Sequence, residues 1–245
     1  MEFSPKLINT LRQSQHVALL TGAGISAESG VPTFREAQTG LWAKYDPQEL
    51  ATPQAFQRNP KLVWEWYAWR RELVQQAAPN PGHHALAKLA MLVPKLTLIT
   101  QNVDGLHQQA GSPEVICLHG NITETKCYTN NHFVKSWPNS AELPPKCPTC
   151  GSLLRPNVVL FGENLPADAL RTAVQASQSC DIFFSIGTSA LVHPAAMLPM
   201  YALDNQALLV EINPQPTQLT HYANEVLTGA SGQILPALVA AAFGE

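Results

Sequence analysis

The chain has 245 residues, 45% of them hydrophobic and 13% charged, with a formal net charge of −3. That length buries a large core, as one domain with an insertion or as two domains. The charge gives no reason to expect nucleic acid or an anionic membrane as a partner, and no apolar run reaches the roughly 18–20 residues a membrane span needs.

The first residues, Met1-Glu-Phe-Ser-Pro-Lys6, have neither a basic run nor a signal-length apolar core, so a cytoplasmic protein is expected. A helix is predicted over residues 4–13 and a buried strand over 17–20. The strand leads into Thr21-Gly-Ala-Gly-Ile-Ser-Ala-Glu-Ser-Gly-Val-Pro-Thr-Phe-Arg35. Gly22 and Gly24, with Ala27 where a third glycine often stands, suit the approach of a pyrophosphate to the backbone. A glycine turn with no ligand fits the same residues. A dinucleotide fold of the usual kind wants a ribose-binding carboxylate about 20 residues further on, after a second strand. Residues 40–46 have no strand before them, and the segment carries Thr33, Phe34 and Arg35 instead. Chemistry other than hydride transfer is implied.

A helix is predicted over 60–77, packing Trp64, Trp66 and Trp69 inward; Tyr67 and Arg70 share one face of it. The helix predicted over 84–91 leaves His83 and His84 at its start as capping or surface residues. A strand over 96–99 ends in Thr100-Gln-Asn-Val-Asp-Gly-Leu-His107. In a parallel sheet this puts Gln101, Asn102 and Asp104 at a pocket mouth, where amides match a carboxamide or ribose hydroxyls. The same residues suit a polar turn capping a helix that starts near Asp104. His107 falls in that helix as a structural residue. After the apolar stretch 114–118 come His119 and Gly120. A histidine titrating near neutrality is a natural general base, and Gly120 is expected to leave space beside the ring; a satisfied structural histidine is the alternative.

Between about 123 and 155 the texture changes to prolines, short polar pieces and three cysteines, the composition of a small stapled insertion. Five cysteines in all, with Cys147 and Cys150 close together, favour thiols or a metal site over disulfides. Cys117 and Cys180 are expected as buried packing residues. A helix over 167–179, strands over 182–186 and 207–212 and a helix over 233–242 complete an α/β pattern with a parallel sheet. Gly187, Thr188 and Ser189 end one strand and Asn213 ends the next, apt for phosphate and ribose contacts or for plain turns.

Taken in order, Gly22-Ala-Gly-Ile-Ser26, Val31-Pro-Thr-Phe-Arg35, Thr100-Gln-Asn-Val-Asp104, Leu118-His-Gly120, Phe161-Gly-Glu163, Gly187-Thr-Ser189 and Ile212-Asn213 resemble the sirtuin family of NAD-dependent protein lysine deacylases. The resemblance runs over almost the whole chain. It implies a Rossmann-like domain (about 1–33, 92–122 and 156–245) and a small zinc-ribbon and helical domain from insertions at about 34–91 and 123–155. By resemblance, His119 is the catalytic base and Asn102 and Asp104 line the nicotinamide pocket. Gln101 contacts ribose, and Gly22, Ala23, Gly24, Thr33, Phe34 and Arg35 hold the pyrophosphate side. Gly187, Thr188, Ser189, Asn213 and Ser231 fall on the adenosine side. NAD is then a consumed co-substrate. An acyl-lysine peptide is expected to add as a strand between Phe161, Gly162 and Glu163 and the loop at 191–193.

A Tyr-x-x-Arg at this point resembles the class III subgroup, in which it binds the carboxylate of succinyl- or malonyl-lysine; this implies that role for Tyr67 and Arg70, with the small Ala37 leaving room. The family's zinc site wants two Cys-x-x-Cys pairs. Here Cys147 and Cys150 are intact, while Cys127 is followed by Asn130, so zinc is held by three thiolates with His132 or water, or is lost. The expected protein is a monomeric deacylase acting on acylated proteins, the alternatives being a mono-ADP-ribosyltransferase on the same NAD site or a non-catalytic binding module.

Overall fold

The computed structural model describes residues 2–33, 45–46, 50–134 and 142–244. In chain order these form α1 (Pro5–Gln13), β1 (Val17–Thr21), α2 (Pro53–Arg58), α3 (Pro60–Gln76), α4 (Pro81–Leu92), β2 (Leu96–Thr100) and the short α5 (Leu106–Gln109). Then come β3 (Val115–Cys117), β4 (Gly120–Cys127), β5 (Phe133–Val134), β6 (Leu154–Val158), α6 (Ala167–Ser179) and β7 (Ile182–Ile186). Helix α7 (Leu198–Asp204), β8 (Leu208–Asn213), β9 (Glu225–Thr228) and α8 (Ser231–Phe243) close the chain.

Four helices begin on one signal, a polar cap followed by proline. Ser4, Thr52, Asn59 and Asn80 accept backbone N–H bonds from Leu7, Ala55, Leu62 and Gly82 at 3.0, 3.1, 3.1 and 2.9 Å. The proline after each cap presets φ and has no N–H to orphan. The cap at Asn80 starts α4 at Pro81, earlier than the helix predicted over 84–91, and α2 was not predicted at all. His83 completes a capping box with Asn80 and is wholly buried, which corrects its surface reading, whereas His84 is exposed.

Six parallel strands lie in the order β3-β2-β1-β7-β8-β9. Every residue of β1 and β7 is buried, as near-continuous apolar runs in a covered parallel sheet require. One face packs Leu7 and Leu11 of α1, Leu86 and Leu89 of α4 and Ile234 and Leu238 of α8. The other packs Ala173 and Ala176 of α6 with Leu198 and Ala202 of α7. Helix α4 thus belongs to the sheet layer, although it lies in the stretch expected as the first insertion. The order reverses between β1 and β7, and in open parallel sheets ligands bind outside the carboxyl ends of the strands at such a point.

A second body is the antiparallel sheet β5-β4-β6 with α2 and α3 against it. Phe56, Val63, Trp66 and Tyr67 pack there with Leu106, Ile122, Val158 and Leu160. Among the described residues, no helix is long and apolar enough to cross a membrane.

Candidate functional site

Two loops cross where the strand order reverses. The Gly22 N–H donates to the Ile186 carbonyl at 2.9 Å and the Gly24 N–H to the Gly187 carbonyl at 2.8 Å. A Cβ on Gly22 would lie 2.8 Å from the Gly187 oxygen, and one on Gly24 would lie 2.7 Å from Gly187 Cα. These glycines are therefore required by the crossing of β1's loop with β7's, and their donors are spent on it. Of the two readings the sequence allows, a pyrophosphate approach and a tight turn, this geometry fits the turn. Two short 3₁₀ turns follow, Ala23–Ile25 and Ala27–Ser29, in place of an α-helix. Phe34, Arg35 and Ala37 lie outside the described residues; Thr33 is half-buried at their edge.

Asn102 is buried beside this loop, its Nδ2 donating to the Gly22 carbonyl at 3.1 Å and to Ser26 Oγ at 3.2 Å. Ser26 in turn donates to Asp104 Oδ2 at 2.7 Å, while Asp104 Oδ1 caps α5 by accepting from the Leu106 N–H at 2.9 Å. The bond to Leu106 fits the capping reading of Asp104. Burial raises its carboxyl above the usual 3.8.

Two histidines back this network. His83 Nδ1 accepts from the Asn80 N–H at 3.3 Å, so its Nε2 carries the proton and faces Ser26 Oγ at 3.4 Å. His107 Nε2 lies 2.9 Å from Thr21 Oγ1, which bonds Thr100 Oγ1 at 2.8 Å; Thr100 holds the Asn102 N–H at 3.0 Å. The two rings are 4.9 Å apart. Burial and the neighbouring His84 push His83 down to about 4, and burial and His83 push His107 down to about 3.

Both therefore fold neutral. The unfolded chain takes up protons below about 6.5 that the folded chain refuses, so stability is intact above that pH and falls as pH drops toward 4. The slope reaches about 1.4 kcal/mol per pH unit per histidine. The raised Asp104 opposes this just above 3.8, while Glu163, held below 4.5, adds to the loss beneath that value. Urea midpoints at about pH 7 and pH 5 are expected to differ by this sign; equal midpoints would show that the pair is not buried neutral.

His119 follows β3. Its Nδ1 lies 2.8 Å from the Gln101 carbonyl, which can only accept, so Nδ1 bears the proton and Nε2 presents a lone pair. Burial lowers its pKa from 6.5. Gly120 does not leave space beside the ring: at φ +85 its missing Cβ would lie 2.0 Å from the Asn157 oxygen, so glycine is needed for β4 to meet β6. The Gln101 side chain donates to Thr188 Oγ1 at 2.9 Å, and Asn213 Nδ2 donates to the Thr188 carbonyl at 2.9 Å. Gln101, Thr188 and Asn213 are thus joined across three strand ends, with Gly187 at φ +59 and Ser189 half-buried beside them. Ser231 is the first residue of α8, buried, its hydroxyl without a hydrogen-bond partner.

On α3, Tyr67 is buried and Arg70 partly so, with the guanidinium carbon 5.3 Å from the Trp66 ring centroid. Burial raises the Tyr67 phenol, against the pull of Arg70 and Arg155. Glu163 is bound through both oxygens to Arg155, at 2.5 and 2.9 Å, and accepts the Leu160 N–H at 2.9 Å. Arg155, which sequence reasoning missed, is 3% exposed, so this pair braces the Phe161–Glu163 turn from within. Phe161, Leu191 and Val192 are 41%, 42% and 37% exposed.

Cys127, Cys147, Cys150 and His132 offer ligand atoms that all lie within 4.8 Å of one another. Zn–S and Zn–N bonds of about 2.3 and 2.0 Å put tetrahedral ligands roughly 3.6–3.8 Å apart. The Cys127–Cys150 sulfurs are 3.4 Å apart and Cys147 Sγ is 3.6 Å from His132 Nδ1, so the donor set fits zinc. Such an ion would crosslink the antiparallel sheet. Cys180 is buried, its thiol pushed up to about 12, while Cys117 is only half-buried.

The Sir2 family model matches residues 22–194. The chain is 49% identical over 249 residues to the NAD-dependent protein deacylase of Methylococcus capsulatus, covering 98% of each. It is 52% identical over 224 residues to that of Aquifex aeolicus, covering 89% of this chain and 93% of the other. It superposes on a Sir2 homolog–NAD complex with a TM-score of 0.91 at 48% identity, covering 97% of this chain and 93% of that one. For Sir2 bound to acetylated peptide the TM-score is 0.86 at 32% identity, with 97% of each covered.

Proposed function

The chain belongs to the Sir2 family, and from that premise we propose that it is an NAD-dependent protein lysine deacylase removing acetyl, succinyl and malonyl groups. The observation that carries the reading is His119: a neutral imidazole fixed through Nδ1, its Nε2 lone pair available at the carboxyl ends of the parallel strands. NAD and water are co-substrates; nicotinamide, free lysine and O-acyl-ADP-ribose are the products. The acyl amide oxygen replaces nicotinamide at the ribose C1′. His119 removes a proton from a ribose hydroxyl, whose oxygen bonds the acyl carbon; the acyl C–N bond then breaks to release lysine, and water adds to leave the acyl group on the ribose.

Asn102 and Asp104 are proposed to receive the carboxamide, and Gln101, Gly187, Thr188, Ser189, Asn213 and Ser231 the ribose and adenine side. Gly22, Ala23, Gly24, Thr33, Phe34 and Arg35 are assigned to the pyrophosphate side. The peptide adds along the main chain of Phe161–Glu163, with Phe161, Leu191 and Val192 as its apolar rim; Glu163's side chain serves only to hold the turn. We assign the sheet layer and the antiparallel body to two domains with the substrates between them, and a monomer in the cytoplasm.

Asn102→Ala is expected to weaken nicotinamide inhibition by about 2–10-fold, the value of one hydrogen bond of roughly 0.5–1.5 kcal/mol. Lost stability with normal activity per folded molecule would leave Asn102 as a turn residue. The overall reading is tested by nicotinamide release from NAD with acetyl-, succinyl- and malonyl-lysine peptides. Release that depends on the acyl group supports it; release indifferent to the peptide, or none, overturns it.

A further inference from the structure

The cysteine cluster departs from a four-thiolate pattern at one position, and the loop around that position is arranged in detail. Cys127 ends β4, and the hairpin that follows is closed by the Cys127 N–H to the His132 carbonyl at 2.8 Å and the Asn131 N–H to the Cys127 carbonyl at 3.1 Å. Asn131 sits at φ 54, a left-handed conformation that asparagine tolerates better than most residues. That turn brings the next side chain, His132, back over the cysteines, with Nδ1 within 3.6 Å of Cys147 Sγ.

Asn130 stands where a fourth thiolate would. Its backbone N–H points at Cys127 Sγ at 3.4 Å. That is a donor aimed at sulfur, the job of groups that stabilise thiolate ligands from outside the coordination sphere.

We propose that this chain closes its zinc site with His132, through Nδ1, and uses the Asn130 backbone N–H as a hydrogen-bond donor to the Cys127 thiolate. The site is then a complete Cys₃His set. Three thiolates, a neutral imidazole and Zn²⁺ sum to one negative charge, where four thiolates would leave two. The lower charge suits the setting, because Cys127 and Cys147 are buried against Trp64 and Leu154, and burying net charge is costly. The contact with Trp64 also ties the cluster to α3, one turn before Tyr67.

The inference stands apart from the catalytic reading, since its test reads the metal alone. Zinc content and the absorption of Co²⁺-loaded full-length protein are measured for the native chain and four variants. The native protein should bind one metal with the charge-transfer intensity of three thiolates. His132→Cys should raise that intensity by about one third, four sulfurs for three. Asn130→Cys should leave it unchanged. His132→Ala should lose metal to a chelator about 10–100-fold more readily, whereas Asn130→Ala, which keeps the backbone N–H, should retain it. A thiolate's worth of intensity gained in Asn130→Cys, or a native-like spectrum and retention in His132→Ala, would overturn the assignment. So would a native protein that takes up neither Zn²⁺ nor Co²⁺, an outcome that needs no variant to fold.

Discussion

His119→Ala is expected to lower turnover by about 10²–10⁴-fold, the scale of a positioned general base, while leaving NAD binding nearly intact. The geometry accounts for both halves. Among the described residues the imidazole hydrogen-bonds the Gln101 carbonyl, so its removal frees an acceptor that water can reach without collapsing the loops. The crossing of Gly22 and Gly24 with Gly187 does not involve the ring. Burial holds His119 below its ordinary 6.5, so the base is neutral at pH 7 and the acid limb of kcat/KM falls below 6.5. Near-native turnover in folded His119→Ala would remove it from the chemistry, and an acid limb above pH 7 would contradict the burial argument.

Arg70→Met should abolish most desuccinylation while sparing deacetylation. A guanidinium meeting a carboxylate in a half-dry pocket contributes about 1.5–3 kcal/mol, or roughly 10–150-fold in kcat/KM. An acetyl group has no carboxylate to leave unpaired. Arg155, which lies near Tyr67, is already paired with Glu163. Tyr67→Phe should act in the same direction with a smaller effect, keeping the ring packed among Val158 and Leu160. Arg71, about 100° further round the helix, serves as the control. Equal losses on acetyl and succinyl peptides would leave a plain deacetylase.

The strands were legible because four of them are near-continuous apolar runs, and a parallel sheet covered on both faces permits little else there. Helix α2 was not, because six residues are too short for a periodic apolar pattern. The start of α4 was missed although Asn80 and Pro81 announce it. Motif order singled out His119, Asn102 and Asp104, which the structure links through Gln101 and Ser26. What it could not supply was the reason for each residue. Gly22, Gly24 and Gly120 are small because backbone passes backbone, a long-range fact that no local pattern encodes. His83 and His107 meet only in three dimensions, and so do Arg155 and Glu163. His132 was within reach because a three-thiolate count asks for a fourth donor nearby.

The most direct test is the mass of the products from NAD and a succinyl-lysine peptide. The account predicts nicotinamide, unmodified lysine peptide and O-succinyl-ADP-ribose in equal amounts, with formation of the last two lost in His119→Ala. ADP-ribose carried on the peptide or on the protein itself, with the succinyl group still on lysine, would contradict it.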